Sequence, residues 1–226
     1  MKSNLLSQKT KAISWITILV AFFTSSLVPV TVHAAASNML VGKLMDASTV
    51  HSKLIIEKVQ APAFLDLSTF AQQVTNGNGG QVTGIYSDNL FAISVVQQPS
   101  GNAGYVAAVG NTATQFRLGS ALGFLAHNYL AGSLFFYLYS GAPIKLVYGD
   151  GHTKSYRVTS IRKFQALSPN SGSSNFVDLA TGGTLTAADL FNQTYGVSGQ
   201  VVLQTCIAKN GIGSWGRLFV IATPGG

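Results

Sequence analysis

From Val82 to the C-terminus the chain breaks into short apolar runs, most of them set apart by Gly, Pro, Asn or Asp. The candidates are "NLFAISVV" (89–96), "GYVAAVG" (104–110), "LGFLA" (122–126) and "PIKLVYG" (143–149), then "KSYRVTSI" (154–161), "QVVLQTC" (200–206) and "RLFVIAT" (217–223). Runs this short, punctuated this often, cannot build long helices and are the mark of a sandwich or barrel. The most secure pair is the hairpin around "GDGH" (149–152). Ile144, Leu146 and Tyr148 alternate onto one face of the first strand, and Tyr156 and Val158 onto one face of the second. Scarce charge, 9% of 226 residues, and a single glutamate, Glu57, agree with a β-rich exported protein.

The first 36 residues read as a targeting segment. Lys2, Lys9 and Lys11 form a basic start, an apolar stretch runs from Ile13 to about Val30, and Ala34-Ala35-Ala36 follows Val32-His33. This fits a cleaved secretory leader or an N-terminal membrane anchor through residues 13–30. Either places the remainder outside the cytoplasmic membrane. Without those three lysines the net charge falls from +7 to +4, and no basic run interleaved with aromatics remains, so nucleic acid is not an expected partner.

Two helices are expected. "DLSTFAQQV" (66–74) stops at "NGNGG" (76–80), which suggests a boundary between an N-terminal appendage or flap at 37–81 and a main domain at 82–226. The second begins at Thr186, with Asp189 completing a capping box and Leu185 and Leu190 at staple positions, and ends at Tyr195-Gly196. Asp178 and Asp189 make a poor hard-cation site with no glutamate nearby, so neither metal nor cofactor is expected.

Cys206 is the lone cysteine and cannot form an internal disulfide, so it is core filler or a reactive group. A thiol with a pKa of roughly 8.5 needs a cationic neighbour to become a good nucleophile, an acid for the leaving group and a donor for the oxyanion. His127, in a β-like context, and Arg217, opening the run after the cysteine, could supply these. Singly, each has an ordinary reading: filler, edge residue, solvated cap.

Together with their flanks, the order His127, Cys206, Arg217 resembles the sortases, cysteine transpeptidases of Gram-positive-type cell envelopes. The family's Thr-Leu-x-Thr-Cys signature is matched by Val202-Leu203-Gln204-Thr205-Cys206, departing only at Val202. Its histidine follows an apolar strand, as in Ala126-His127-Asn128, and its arginine opens the last strand, as Arg217 does before "LFVIAT". The likeness covers about residues 82–223. It implies a closed or nearly closed β-barrel of about eight strands with short helices in the connections. It also implies that a Cys206 thiolate attacks a sorting-signal peptide of a secreted protein, with Arg217 on the oxyanion and a charged His127 as acid. The acyl group would then pass to an amine of the cell wall or a pilin, or to water. Substrate contacts are expected from Thr205, Leu203, Ala126 and Asn128. Segment 170–199 is longer than in compact members and would wall the groove. The rival readings are an inactive sortase-fold protein that binds envelope peptides and an exported β-domain adhesin with Cys206 in its core.

Overall fold

The computed structural model describes residues 65–102, 104–118 and 120–225. The leader or anchor and most of the 37–81 segment lie outside the described residues. No helix among those described is long and apolar enough to cross a membrane.

Ten strands follow in chain order: β1 (Val82–Ser87), β2 (Phe91–Gln97), β3 (Thr112–Leu118), β4 (Ala121–Leu125) and β5 (Pro143–Tyr148), then β6 (Thr153–Ala166), β7 (Phe176–Asp178), β8 (Thr184–Leu185), β9 (Val201–Lys209) and β10 (Ile212–Pro224). Eight of them close into a barrel in the order β10-β9-β4-β3-β2-β1-β5-β6, sealed by pairing of β10 with β6. The expected mainly β barrel of about eight strands is therefore what the chain forms. β7 and β8 extend the sheet beyond β6 as a short flap. Two helices accompany the strands, α1 (Leu67–Val74) and α2 (Ala187–Tyr195), with a 3-10 helix at Ala131–Tyr137.

Period-two alternation assigns each strand two faces. Ile85, Ile93, Phe124, Ile144, Leu146, Val158, Leu203 and Val220 pack in the barrel interior. Their neighbours Leu125, Phe164, Val202 and Phe219 point outward, into a second core completed by Phe176 of β7 and Ala187, Leu190 and Tyr195 of α2. α2 starts where expected: the Thr186 hydroxyl accepts from the backbone N–H of Asp189, and the Asp189 carboxylate accepts from Thr186. It walls the outer face and adds nothing to the sheet.

One expectation needs correction. "GYVAAVG" (104–110) is not a strand. β2 and β3 are parallel neighbours, so residues 98–111 must carry the chain back between them and cannot also join the ladder. β3 itself, "TATQFRL", looks too polar for a buried strand. Its polar groups are paired: Thr114 accepts from the Ala107 N–H and Gln115 accepts from Gln97. The "NGNGG" turn is tied to the barrel, its Asn76 and Gly77 N–H groups donating to the Gly149 carbonyl. α1 packs Phe70 on Tyr86 with ring centroids 6.0 Å apart, and a Cβ on Gly84 would fall 2.7 Å from the Phe70 ring.

Candidate active site

β9 and β10 are antiparallel, and their register sets Arg217 directly opposite Cys206. Directly opposed residues project from the same face of a sheet. β4 lies on the other side of β9 and runs parallel to it, so the two strands end side by side. The pairing Leu125↔Gln204 continues through the hydrogen bond from Ala126 N–H to the Gln204 carbonyl, which brings His127 level with Cys206. Ala121, Gly123 and Leu125 lie on the outer face of β4 by alternation, so the same parity carries His127 to the face that bears Cys206 and Arg217. Cys206 and Arg217 are thus paired across two strands, and His127, two residues beyond β4, falls at the same register level.

The site is closed. Cys206 and Arg217 are each 1% exposed. The Arg217 guanidinium donates to the carbonyls of Ser214 at 2.7 Å and Gly216 at 2.9 Å, and its other nitrogen reaches the Pro169 carbonyl at 3.5 Å. Pro169 belongs to the β6–β7 connection, whose Asn170 also meets Ser214 at 3.4 Å. Asn128 donates its amide to the Gly213 carbonyl, tying the segment after β4 to the β9–β10 hairpin. His127 is half-buried and stacks on Tyr129 with centroids 5.1 Å apart.

Burial pushes the Cys206 thiol from its ordinary 9.0 up to about 12, against the opposing pull of the Arg217 charge. Burial also lowers the pKa of His127, although a hydrogen bond with the Val106 backbone favours its charged form. Burial lowers that of Arg217 as well. Burial in the closed site thus favours the neutral thiol and the neutral imidazole. Burial works against the resting thiolate and charged histidine that the resemblance implied, because a charge on the sulfur would be poorly solvated.

Three of the expected substrate contacts fall on the wrong face. Leu203 and Ala126 are fully buried in the barrel interior, and Thr205 spends its hydroxyl on the Ala126 carbonyl at 2.8 Å. Alternation from Cys206 requires this, since residues one and three positions before it point inward. Thr205 instead fastens the end of β4 to β9 beneath His127. Gly132 of the 3-10 helix packs against that junction, where a Cβ would lie 2.6 Å from the Ala126 carbonyl. The residue that does share the outer face is Gln204, which lines a narrow cleft with Arg217, Phe176, Leu190, Phe191 and Phe219. Both candidate metal-binding carboxylates are committed elsewhere: Asp178 pairs with Arg162 at 3.0 Å, and Asp189 caps α2.

No family model matches the chain, and no curated protein does. Solved structures do. The solved structures it is similar to are sortases. Sortase A of Listeria monocytogenes matches at 12% identity and a TM-score of 0.39, over 64% of this chain and 88% of that one. Streptococcus agalactiae sortase C1, in complex with MTSET, matches at 14% and 0.43, over 74% and 80%. Streptomyces coelicolor sortase E1, with a tripeptide in its active site, matches at 16% and 0.40, over 66% and 91%. Scores below 0.5 at these identities carry no argument about chemistry, so the functional reading rests on the residues of the site.

Proposed function

We propose that the chain is a sortase-type cysteine transpeptidase acting on peptides outside the cytoplasmic membrane. The observation that supports this most is the pairing of Cys206 with Arg217 across β9 and β10, with His127 at the same register level beyond the adjoining β4. Buried arginines are rare because desolvating the guanidinium is costly, and a fold retains one where its charge has work to do.

The reaction follows from the roles these groups can fill. A peptide that reaches Arg217 displaces the Pro169 carbonyl from it, and its own carbonyl takes that place. The Cys206 thiol gives its proton to His127 as the sulfur attacks the carbonyl carbon, and Arg217 stabilises the oxyanion, a contribution of about 2.7–4 kcal/mol for one such donor. His127 then protonates the departing amine, which leaves a thioacyl enzyme. An incoming amine of a cell-wall precursor or pilin, or water, resolves it and regenerates the thiol. Export through the N-terminal segment belongs to the same proposal.

The test uses the purified full chain with a peptide library and a triglycine acceptor, read by mass spectrometry. Ligated product from the wild type and none from Cys206→Ala is the expected result. Product from both would remove Cys206 from the chemistry. One observation favours a second reading, a peptide-binding protein without activity: the sulfur is sealed in the resting structure. Peptide binding with no product and no acyl adduct would establish that reading instead.

A further inference from the structure

Gln204 sits two residues before Cys206 on the same face of β9, a spacing of about 6.6–6.8 Å in extended chain. Its side chain is 2% exposed. The Tyr195 hydroxyl donates to its Oε1 at 2.6 Å. Tyr195 is itself fully buried and held edge-on by Phe116, at 5.4 Å between centroids, and by Phe219, at 6.2 Å. A ring so confined fixes the hydroxyl, and the hydroxyl holds the amide oxygen.

Among the described residues, nothing accepts a hydrogen bond from Gln204 Nε2. Gln204 lines the cleft, and its Nε2 is not fully enclosed. The surrounding lining is apolar, from Phe176, Leu190, Phe191 and Phe219, and the Thr194 hydroxyl there is already given to the Leu190 carbonyl. Two N–H donors left open in an apolar cleft, beside a buried cation, favour a ligand that brings an oxygen.

We infer that Gln204 is a specificity residue of the groove. Its Nε2 donates to a side-chain amide or carboxylate oxygen on the substrate residue two positions from the scissile carbonyl. An extended peptide repeats its side-chain direction every two residues, the same interval that separates Gln204 from Cys206. Tyr195 is a positioning residue, acting through the amide that it orients. This inference rests on the transpeptidase reading and deepens it.

The experiment takes the best-cut peptide from the library screen and places Asn, Asp or Leu two positions to either side of the cut. Each substrate is compared by kcat/KM within a single enzyme preparation, so a partial folding defect cancels from the ratio. The wild type is expected to favour Asn or Asp over Leu by about tenfold or more on one side, the worth of one hydrogen bond in a dry site. The Asn and Asp arms separate amide from carboxylate recognition. Gln204→Leu should bring the ratio to one or invert it, and Tyr195→Phe should lower it part-way. A wild-type ratio near one, or one unchanged in Gln204→Leu, overturns the assignment and leaves the transpeptidase reading standing. If the wild type cuts no peptide at all, that reading fails and Gln204 falls with it.

Discussion

The two faces of β9 and β10 are built from alternating residues of the same strands, yet they are chemically unlike. Inward, Val201, Leu203, Leu218, Val220 and Ala222 form a dry interior whose one polar member, Thr205, is satisfied by a backbone carbonyl. Outward, the same strands bury Gln204, Cys206 and Arg217 among aromatic rings. An apolar face needs only volume and pattern to be stable. A face that buries an arginine, a thiol and an amide incurs desolvation at each, so stability alone does not account for its composition. The inner face holds the barrel together, and in the proposed function the outer face carries the chemistry.

Substitutions on the two faces should therefore separate activity from stability. The largest effect belongs to Cys206→Ala, which should abolish ligated product while the thermal transition stays close to wild type; product at wild-type levels would break the contrast. Next comes the thiol itself. With its pKa raised from 9.0 to about 12, its thiolate fraction at neutral pH is about a thousandfold below that of an ordinary cysteine, and alkylation of the resting protein should be slowed at least that much. Because the folded value lies above the unfolded one, the stability this group contributes is full below about pH 9 and is lost as pH rises towards 12. Stopped-flow labelling and a pH series of unfolding curves check both statements.

Arg217→Met should lower turnover by about 10²–10³-fold. It should keep the fold, because an apolar side chain in place of a buried charge is often tolerated. Unchanged turnover would return Arg217 to a structural role. On the inner face the expectation reverses: Leu203→Ala should cost about 2–5 kcal/mol in urea unfolding, and the kcat/KM of the fraction that remains folded should hardly change. The smallest effect sharpens the comparison at its seam. Thr205→Val removes one hydrogen bond and should cost about 1 kcal/mol. It should also slow turnover by loosening the end of β4 beneath His127, and an unaltered rate would detach that bond from the site.

The barrel was legible wherever periodicity was clean. The "GDGH" hairpin, the capping box at Thr186 and the strands carrying Cys206 and Arg217 follow from alternation and turn residues. β3 was hidden because its threonines and glutamine are buried with partners from other parts of the chain, and a linear reading cannot see those partners. "GYVAAVG" misled for the opposite reason: only Val106 and Ala107 are buried, and the segment is a connection that pairs with no strand. The positions of His127, Cys206 and Arg217 could be proposed from order and flanking residues, but their common level comes from the parallel pairing of β4 with β9, which is long-range. Leu203, Thr205 and Ala126 could have been set aside earlier, since period two counted from Cys206 sends the first two inward. The same count singles out Gln204, whose tie to Tyr195 only the folded chain reveals. The cover that Pro169 lays on Arg217 left no mark in the sequence.

The most direct test is intact-mass spectrometry of the folded full chain after brief exposure to the peptide library without an amine acceptor, followed by digestion to locate any adduct. A thioacyl mass on Cys206 that disappears when triglycine is added is the predicted result. A Cys206 that carries no thioacyl adduct after the same exposure, in protein shown to be folded, would contradict the account.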